Sequence, residues 1–393
     1  MAQWSSAPEG EGIVAEGPDA DGPDAAGKAD ATHGGPPRSP AVARNRACAF
    51  LLRSRGADGW WRDFDVNGPS STWLTAYVGA ALAGCGVPRG EEAAREAWGL
   101  LAGPEAVARG WGYGPGAPPD ADTTAWVLRL AEAVGGDKEP AAARGYAFLT
   151  RHVRPDGGVA TYSRQDAGHF FDRHPVPGGW DGWYSSHICV TAAAAGLRAL
   201  PERERLLRHL AARQRPDGSW QSYWWTDPEY ATAFAYEAFD GAGRAAEAAR
   251  AWMAGRIGPD GAVRTATAGA GSAFATALAA RTLRHATDGP TPAPGDASGR
   301  VLHRLLHTQR PSGDWPGSAW VRLPPPSMAD PDAPYDWRYE GRGARVVGTM
   351  TQDRAGLFTT ATALLALSGI TAPDTPLSSP PTAGDPVTRR IRP

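Results

Sequence analysis

Two carboxylates stand one residue apart in "PPDADTTAWVLRL", Pro118–Leu130. The run of small and apolar residues that follows predicts a helix, with Asp120 as its N-cap and Asp122 in its first turn. Such a pair does one of two jobs: both residues satisfy orphan amides at the helix start, or one is an acid kept protonated for transfer. The helix dipole favours ionised Asp122 by roughly 0.3–1 kcal/mol. Burial in an apolar cavity raises a carboxyl pKa by up to ~3–5 units, and a like charge two residues away adds to the rise. Inside an apolar cavity desolvation wins, and the pair shares one proton near neutral pH. The elements around Asp122 therefore decide.

Those elements repeat. A helix ending in a Gly-Trp turn recurs in "RSRGADGWW" (Arg53–Trp61), "RQRPDGSW" (Arg213–Trp220) and "TQRPSGDW" (Thr308–Trp315). Weaker copies are "HVRPDGGV" (His152–Val159) and "RIGPDGAV" (Arg256–Val263), and a degenerate one is "ARGWGYG" (Ala108–Gly114). The Asp/Ser-Gly step is turn chemistry that stops a helix. After each turn comes an apolar helix with a Thr-Ala step, at Thr75, Thr124, Thr191, Thr232, Thr276 and Thr360. By subtraction these threonines lie 49, 67, 41, 44 and 84 residues apart, a repeat with two long insertions. Charged outer helices alternating with helices apolar nearly all round predict an all-α fold of six helix pairs closed into an α/α barrel, with little strand. An open superhelix is the alternative.

Registered on the Thr-Ala step, the residues two before the threonine are Trp73, Asp122, Cys189, Tyr230, Phe274 and Phe358. Four residues further, on the same helical face, come Tyr77, Trp126, Ala193, Phe234, Leu278 and Thr362. A register shifted by two in "LFTTATALLAL" would replace Phe358 by Thr360. Rings at helical spacing are often plain core, but here they surround a single carboxyl. Cation–π attraction of roughly 0.5–2 kcal/mol per ring suits an apolar ligand that becomes positively charged. Rings also survive carbocations that nucleophilic side chains would trap.

Composition narrows the partners. The net charge of -2 gives no reason to expect nucleic acid. Cys48, Cys85 and Cys189 form no C-x-x-C pair, which fits a reducing, cytoplasmic setting. No basic segment and apolar run opens the chain, and no apolar stretch reaches ~18 residues, so neither a secretory signal nor a membrane span is expected, which leaves peripheral membrane contact open. Residues 1–40 and 371–393 are poor in aliphatic side chains and read as disordered, which puts the folded unit at 41–370.

The turns "RQRPDGSW" and "TQRPSGDW" resemble the Gln-Trp repeats of squalene–hopene cyclases, and "DADTTA" resembles the D-x-D-D-T-A motif of class II terpene cyclases in its D-x-D-T-T form. The resemblance spans the folded region, as one barrel rather than the usual two or three domains. It implies that Asp122 gives up the proton, assisted by Asp120, and that no cofactor is needed for the chemistry. Thr123 replaces the family's third aspartate. The histidine that supports the acid in the hopene cyclases aligns with Ala193, and His187 is the nearby substitute, with a capping or surface role as the alternative. No Asp-Asp dipeptide occurs, so the D-D-x-x-D motif of diphosphate-ionising cyclases is absent.

The insertion between Trp315 and Phe358, with Arg338, Arg342, Arg345 and Arg354 among aromatics, reads as a lid or equally as a solvated, charge-mixed loop. Arg338 and Arg345 are candidates to grip an anionic head group. A second insertion, Ser163–His187, would flank the entrance; its His169, Asp172 and His174 match no closed metal site. The expected reaction is proton-initiated cyclisation of a linear isoprenoid, with farnesyl diphosphate giving a drimane-type bicycle. A prenylated aromatic acid or geranylgeranyl diphosphate is the alternative substrate, and magnesium enters only with a diphosphate. A prenyltransferase-like zinc barrel and a non-catalytic lipid-binding barrel are the competing classes.

Overall fold

The computed structural model describes residues 39–66, 68, 70–103, 110–284, 296–339, 347–368 and 370. The expectations for the two termini therefore fall almost wholly outside the described residues, where helix α1 begins at Pro40 behind the N-cap Ser39.

Thirteen helices occur among the described residues. Outer helices α1 (Pro40–Arg53), α3 (Pro88–Leu101), α5 (Pro140–Arg151), α8 (Arg203–Ala212), α10 (Gly243–Gly255) and α12 (Ala297–Thr308) alternate with inner ones. The inner helices are α2 (Ser71–Ala83), α4 (Ala121–Val134), α7 (Ile188–Ala195), α9 (Glu229–Ala238), α11 (Ala273–Arg284) and α13 (Leu357–Leu367). The inner helices touch in cyclic order, α2 to α4, α7, α9, α11 and α13, and α13 returns to α2. The helix α6 (Arg164–Phe171) lies in the Ser163–His187 insertion.

One bond registers every repeat. The threonine of the Thr-Ala step accepts the turn's backbone N–H in all six: Trp61 to Thr75, Trp111 to Thr124, Val159 to Thr191, Trp220 to Thr232, Val263 to Thr276 and Trp315 to Thr360, at 2.9–3.2 Å. Each turn tryptophan then donates its indole N–H to a carbonyl ten residues back on the outer helix, Leu51, Leu101, Leu210 or Leu305. The chain is Trp-rich because the ring fills the helix–helix gap and its one donor satisfies an orphan helix C-terminal carbonyl. The degenerate copy is thus a full repeat through Trp111, and the last helix registers on Thr360, which keeps Phe358 in the ring.

The turn glycines dock each turn on the next outer helix. Gly157, Gly218, Gly261 and Gly313 all have φ between 80° and 99°. A Cβ on them would stand 3.0, 2.5, 2.2 and 2.3 Å from the carbonyls of Arg205, Ala248, Arg300 and Arg46. Gly313 docks on α1, joining the last turn to the first helix, and Gln309 reinforces the joint by donating to Ala43 O at 2.8 Å.

Strands are few and short among the described residues, as expected, and the last insertion holds most of them. It is a small sheet of β3 (Trp320–Leu323), β4 (Arg338–Tyr339) and β5 (Thr349–Gln352), in the order β3-β5-β4. A second hairpin pairs Val263–Thr265 with Ala268–Ser272. Thr349 and Thr351 at alternate positions of β5, with Trp320 and Val321 on β3, suit this pairing. The sheet is stitched to the loop before α9 through Arg322 N to Trp224 O (2.9 Å), and to the other insertion through the Trp183 indole to Pro324 O (3.0 Å).

Gly313→Ala is expected to destabilise the protein by more than about 1 kcal/mol relative to Gly86→Ala, since both have positive φ but only Gly313 abuts a backbone. Urea unfolding of the two variants checks this.

Candidate active site

Asp120 and Asp122 sit at the start of α4 and are treated differently by the backbone. Asp120 is the N-cap: its Oδ1 accepts the Thr123 N–H at 2.7 Å and its Oδ2 the Thr123 hydroxyl at 2.8 Å. It is 3 % exposed. Asp122, one turn position inside, has no such donors. Its Oδ1 is enclosed and without a hydrogen-bond partner among the described residues. The Trp73 indole approaches the carboxyl and lowers its pKa slightly without hydrogen-bond geometry.

Desolvation dominates both groups. It pushes Asp122 up to about 8, with the neighbouring Asp120 charge adding to the rise. Asp120 rises to about 7, its bonds from Thr123 opposing the burial. The order follows from the donors: the oxygens of Asp120 are held as acceptors, so the shared proton belongs on Asp122.

A second buried carboxyl pair shows the contrast. At the start of α13, Asp353 accepts the N–H groups of Ala319 (2.9 Å) and Thr359 (2.7 Å), and Asp63 accepts those of Ala355 (2.9 Å) and Leu357 (2.8 Å). Those carboxylates tie α13 to the first repeat. Asp122 ties nothing.

The predicted rings converge. Tyr77 stacks on Phe358 at 3.8 Å between centroids, and Trp73 on Phe358 at 4.9 Å. Trp126 meets Tyr77 at 4.5 Å and Phe234 at 5.1 Å, and its indole N–H donates to the Tyr230 hydroxyl at 3.0 Å. Tyr230 lies 6.4 Å from Phe274. The Asp122 charge reaches Cys189, Tyr162 and Tyr230, raising each further. Asp122 as a whole is half-buried, but its Oδ1 is enclosed and its charge is felt by groups of the ring.

Other functional candidates come from loops. Trp225 stacks on Tyr230 (4.3 Å) and Phe274 (5.2 Å) and lies 5.0 Å from Phe358. Phe64 lies 5.6 Å from Trp73, and Tyr113 stacks on Trp73 at 5.7 Å. All three follow a turn tryptophan within five residues, a second aromatic that the inner-helix register passes over.

His187 is neither a surface residue nor a direct partner of the acid. It is 1 % exposed, and its side chain does not cap α7. Its Nδ1 meets the Thr161 hydroxyl at 2.6 Å and its Nε2 the Gly182 carbonyl at 2.9 Å, and it stacks on Tyr223 at 3.7 Å. Burial lowers its pKa to about 3, so it is neutral. Thr161 O in turn accepts the N–H of Ala121 at 2.9 Å, so the histidine braces the strand of chain that holds the start of α4. Arg338 is exposed on β4, and its described contacts do not bring it to the acid or the rings. Arg345 lies outside the described residues. Among the described residues no three His, Cys, Asp or Glu side chains converge as a metal site, and no helix is long and apolar enough to cross a membrane.

The comparisons agree with this geometry. No family model matches the chain. A solved structure of a protein from Actinoplanes is 46% identical with a TM-score of 0.77, covering 84% of this chain and 98% of that one. The type II terpene cyclase MstE from Scytonema is 36% identical with a TM-score of 0.76, covering 84% of this chain and 97% of that one. A variant of it was solved with its substrate, geranylgeranyl dihydroxybenzoate. The drimenyl diphosphate synthase of Streptomyces showdoensis is 30% identical over 225 residues, 52% of this chain and 38% of that protein. The chain thus spans well under half the length of that curated relative. With the D-x-D-T-T motif, the repeats and these matches, the chain belongs to the type II (class II) terpene cyclases.

Raised carboxyls set a direction for stability. Between the unfolded Asp value of 3.8 and the folded value of about 8, the native state holds a proton that the unfolded chain has released. Stability therefore falls as pH rises across that window. Asp122→Asn is expected to flatten the fall; urea unfolding of both proteins from pH 5 to pH 9 measures the difference.

Proposed function

We propose that this chain is a proton-initiated cyclase of a linear isoprenoid, an α/α barrel of six helix pairs over 41–370, with Asp122 as its acid. The cyclic contacts of the inner helices support the barrel. One observation carries the mechanism: a donor-starved carboxyl within a ring of buried aromatics.

The Asp122 O–H adds its proton to the terminal alkene, whose π electrons form the new C–H bond and leave a tertiary cation. The next alkene attacks that cation, forming a ring C–C bond and passing the charge one isoprene unit along. Loss of a proton to water or a base ends the cascade. The product is an isomer of the substrate, and Asp122 recovers a proton from solvent. Trp73, Tyr77, Trp126, Tyr230, Phe234, Phe274 and Phe358 present π faces to successive cations, each worth roughly 0.5–2 kcal/mol. Asp120, pinned by Thr123, raises the acid by its charge and gives no proton to the alkene. His187 acts at one remove, through Thr161, on the backbone that holds the acid.

Farnesyl diphosphate, giving a drimane-type bicycle, is the substrate we favour, because the curated relatives are drimenyl diphosphate synthases. A prenylated aromatic acid is the second reading, favoured by the similarity that spans nearly all of MstE; geranylgeranyl diphosphate is a third. Arg338 and Arg345 would meet the anionic head group common to all three. Magnesium would arrive with a diphosphate substrate, and no step is routed through a metal. A cytoplasmic setting fits a chain whose described helices include no membrane span.

Incubation with farnesyl diphosphate and with geranylgeranyl dihydroxybenzoate, followed by product analysis, tests the reading. Absence of cyclic product from every polyprenyl substrate rejects it. Asp122→Asn is expected to lower kcat/KM by about 10²–10⁴-fold with an unchanged circular dichroism spectrum. Wild-type turnover in that variant would remove Asp122 from the mechanism. Activity needs the protonated acid, so kcat/KM should decline as pH rises through about 8.

A further inference from the structure

The inner helices carry a third layer. Seven residues beyond the first ring, again on the same face, stand Arg129 on α4, Glu237 on α9 and Arg281 on α11. At 1.5 Å per residue the layer lies about 10 Å along the helices from Asp122, with only the aromatic layers between. Glu237 bridges both arginines, pairing through one carboxylate oxygen with Arg129 and through the other with Arg281. All three are largely buried, with side chains 11%, 23% and 13% exposed. The trio carries a net charge of +1.

This layer also uses up ring faces. The Arg129 guanidinium lies 4.9 Å from the Trp126 centroid and 5.3 Å from that of Phe234, while Arg281 lies 5.1 Å from Phe234. Gly196 makes the room: a Cβ there would stand 2.3 Å from the Arg129 guanidinium, which donates to Ala193 O at 3.1 Å. Glu237 and Arg281 also line a cavity of about 540 Å³ that reaches Arg203, Arg284 and Ser368. Arg203 and Arg284 are committed to helix C-terminal carbonyls there. The trio thus stands between the aromatic layers and that cavity.

We propose that Arg129, Glu237 and Arg281 form a specificity-determining floor that limits how many rings close before the cascade ends. This rests on the cyclase reading above. A cation moving away from Asp122 gains from the two aromatic layers, then meets net positive charge. The last cation is therefore stable only near the second layer, and its proton is lost there. A backbone depth of about 10 Å is of the order of a small fused ring system, so the charge of the trio lies within reach of the last cation.

Two variants of opposite charge test this, each incubated with farnesyl diphosphate and with geranylgeranyl dihydroxybenzoate. Replacing the whole trio, Arg129→Leu with Glu237→Leu and Arg281→Leu, removes the charge without leaving an unpaired ion, an exchange proteins often tolerate. It is expected to raise the ratio of products with three or more rings to bicycles from the longer substrate by about tenfold, which corresponds to 1.36 kcal/mol in the branching barriers. Glu237→Gln raises the net charge to +2 and should shift products the other way, towards monocycles. A folding defect alone would not move ring number in opposite directions, and if the triple variant does not fold, Glu237→Gln decides. Ring distributions equal to wild type in the folded, active variants overturn the floor while leaving the cyclase reading in place. Failure of the wild type to cyclise either substrate overturns both.

Discussion

Everything in the molecule is indexed to one bond, the turn amide received by the threonine hydroxyl of the next inner helix. It fixes the rotation and height of each inner helix against its own turn, six times over. Because the index is the same in each repeat, residues two before, two after and five after the threonine fall into common layers. A side chain's chemistry is then a matter of which layer it occupies. The bond is buried and neutral, of the kind that contributes about 1 kcal/mol net but costs more when left half-made. The turn glycines and tryptophans complete the joint by contact that admits no Cβ and by a donor that ends the outer helix.

That indexing explains why an aspartate in the first layer behaves unlike the other buried carboxyls. Asp63, Asp353 and Asp120 all occupy capping geometry, where backbone N–H groups replace lost water. Asp122 stands two residues past the cap, and its Oδ1 receives no hydrogen bond among the described residues. Burial raises Asp353 and Asp63 as well, against the pull of their donors; at Asp122 no backbone donor opposes the rise. The rings deepen this: Tyr77, Trp126 and Phe358 bring area and π faces but no cation at the height of the acid.

Much of this was legible in the sequence because period and turn chemistry are local. The six Thr-Ala steps, Asp120 as cap, Asp122 inside it and all seven ring aromatics follow from the repeat alone. What was hidden depends on contacts between repeats. Trp225, Phe64 and Tyr113 reach the rings from loops, whose path no helical period predicts. His187 is drawn into a bond with Thr161, twenty-six residues earlier, rather than to the acid. The sheet of the last insertion is set by pairing with the Trp224–Trp225 loop, a long-range contact. The arginines at the far end read as ordinary helix charges until Gly196 shows the space made for one of them.

The exchange of an aspartate for Thr123 sharpens the acid rather than weakening it. An aspartate at that position would add a third negative charge to a buried cluster and could donate no hydrogen bond while ionised. Threonine donates its hydroxyl to Asp120 and its backbone N–H to the same carboxylate. Asp120 is thereby committed as the acceptor of the pair. With one carboxyl committed, the remaining proton has a single favoured home, and like-charge repulsion from the partner keeps it there. The division of labour between two aspartates one residue apart is set by which of them the third residue can reach.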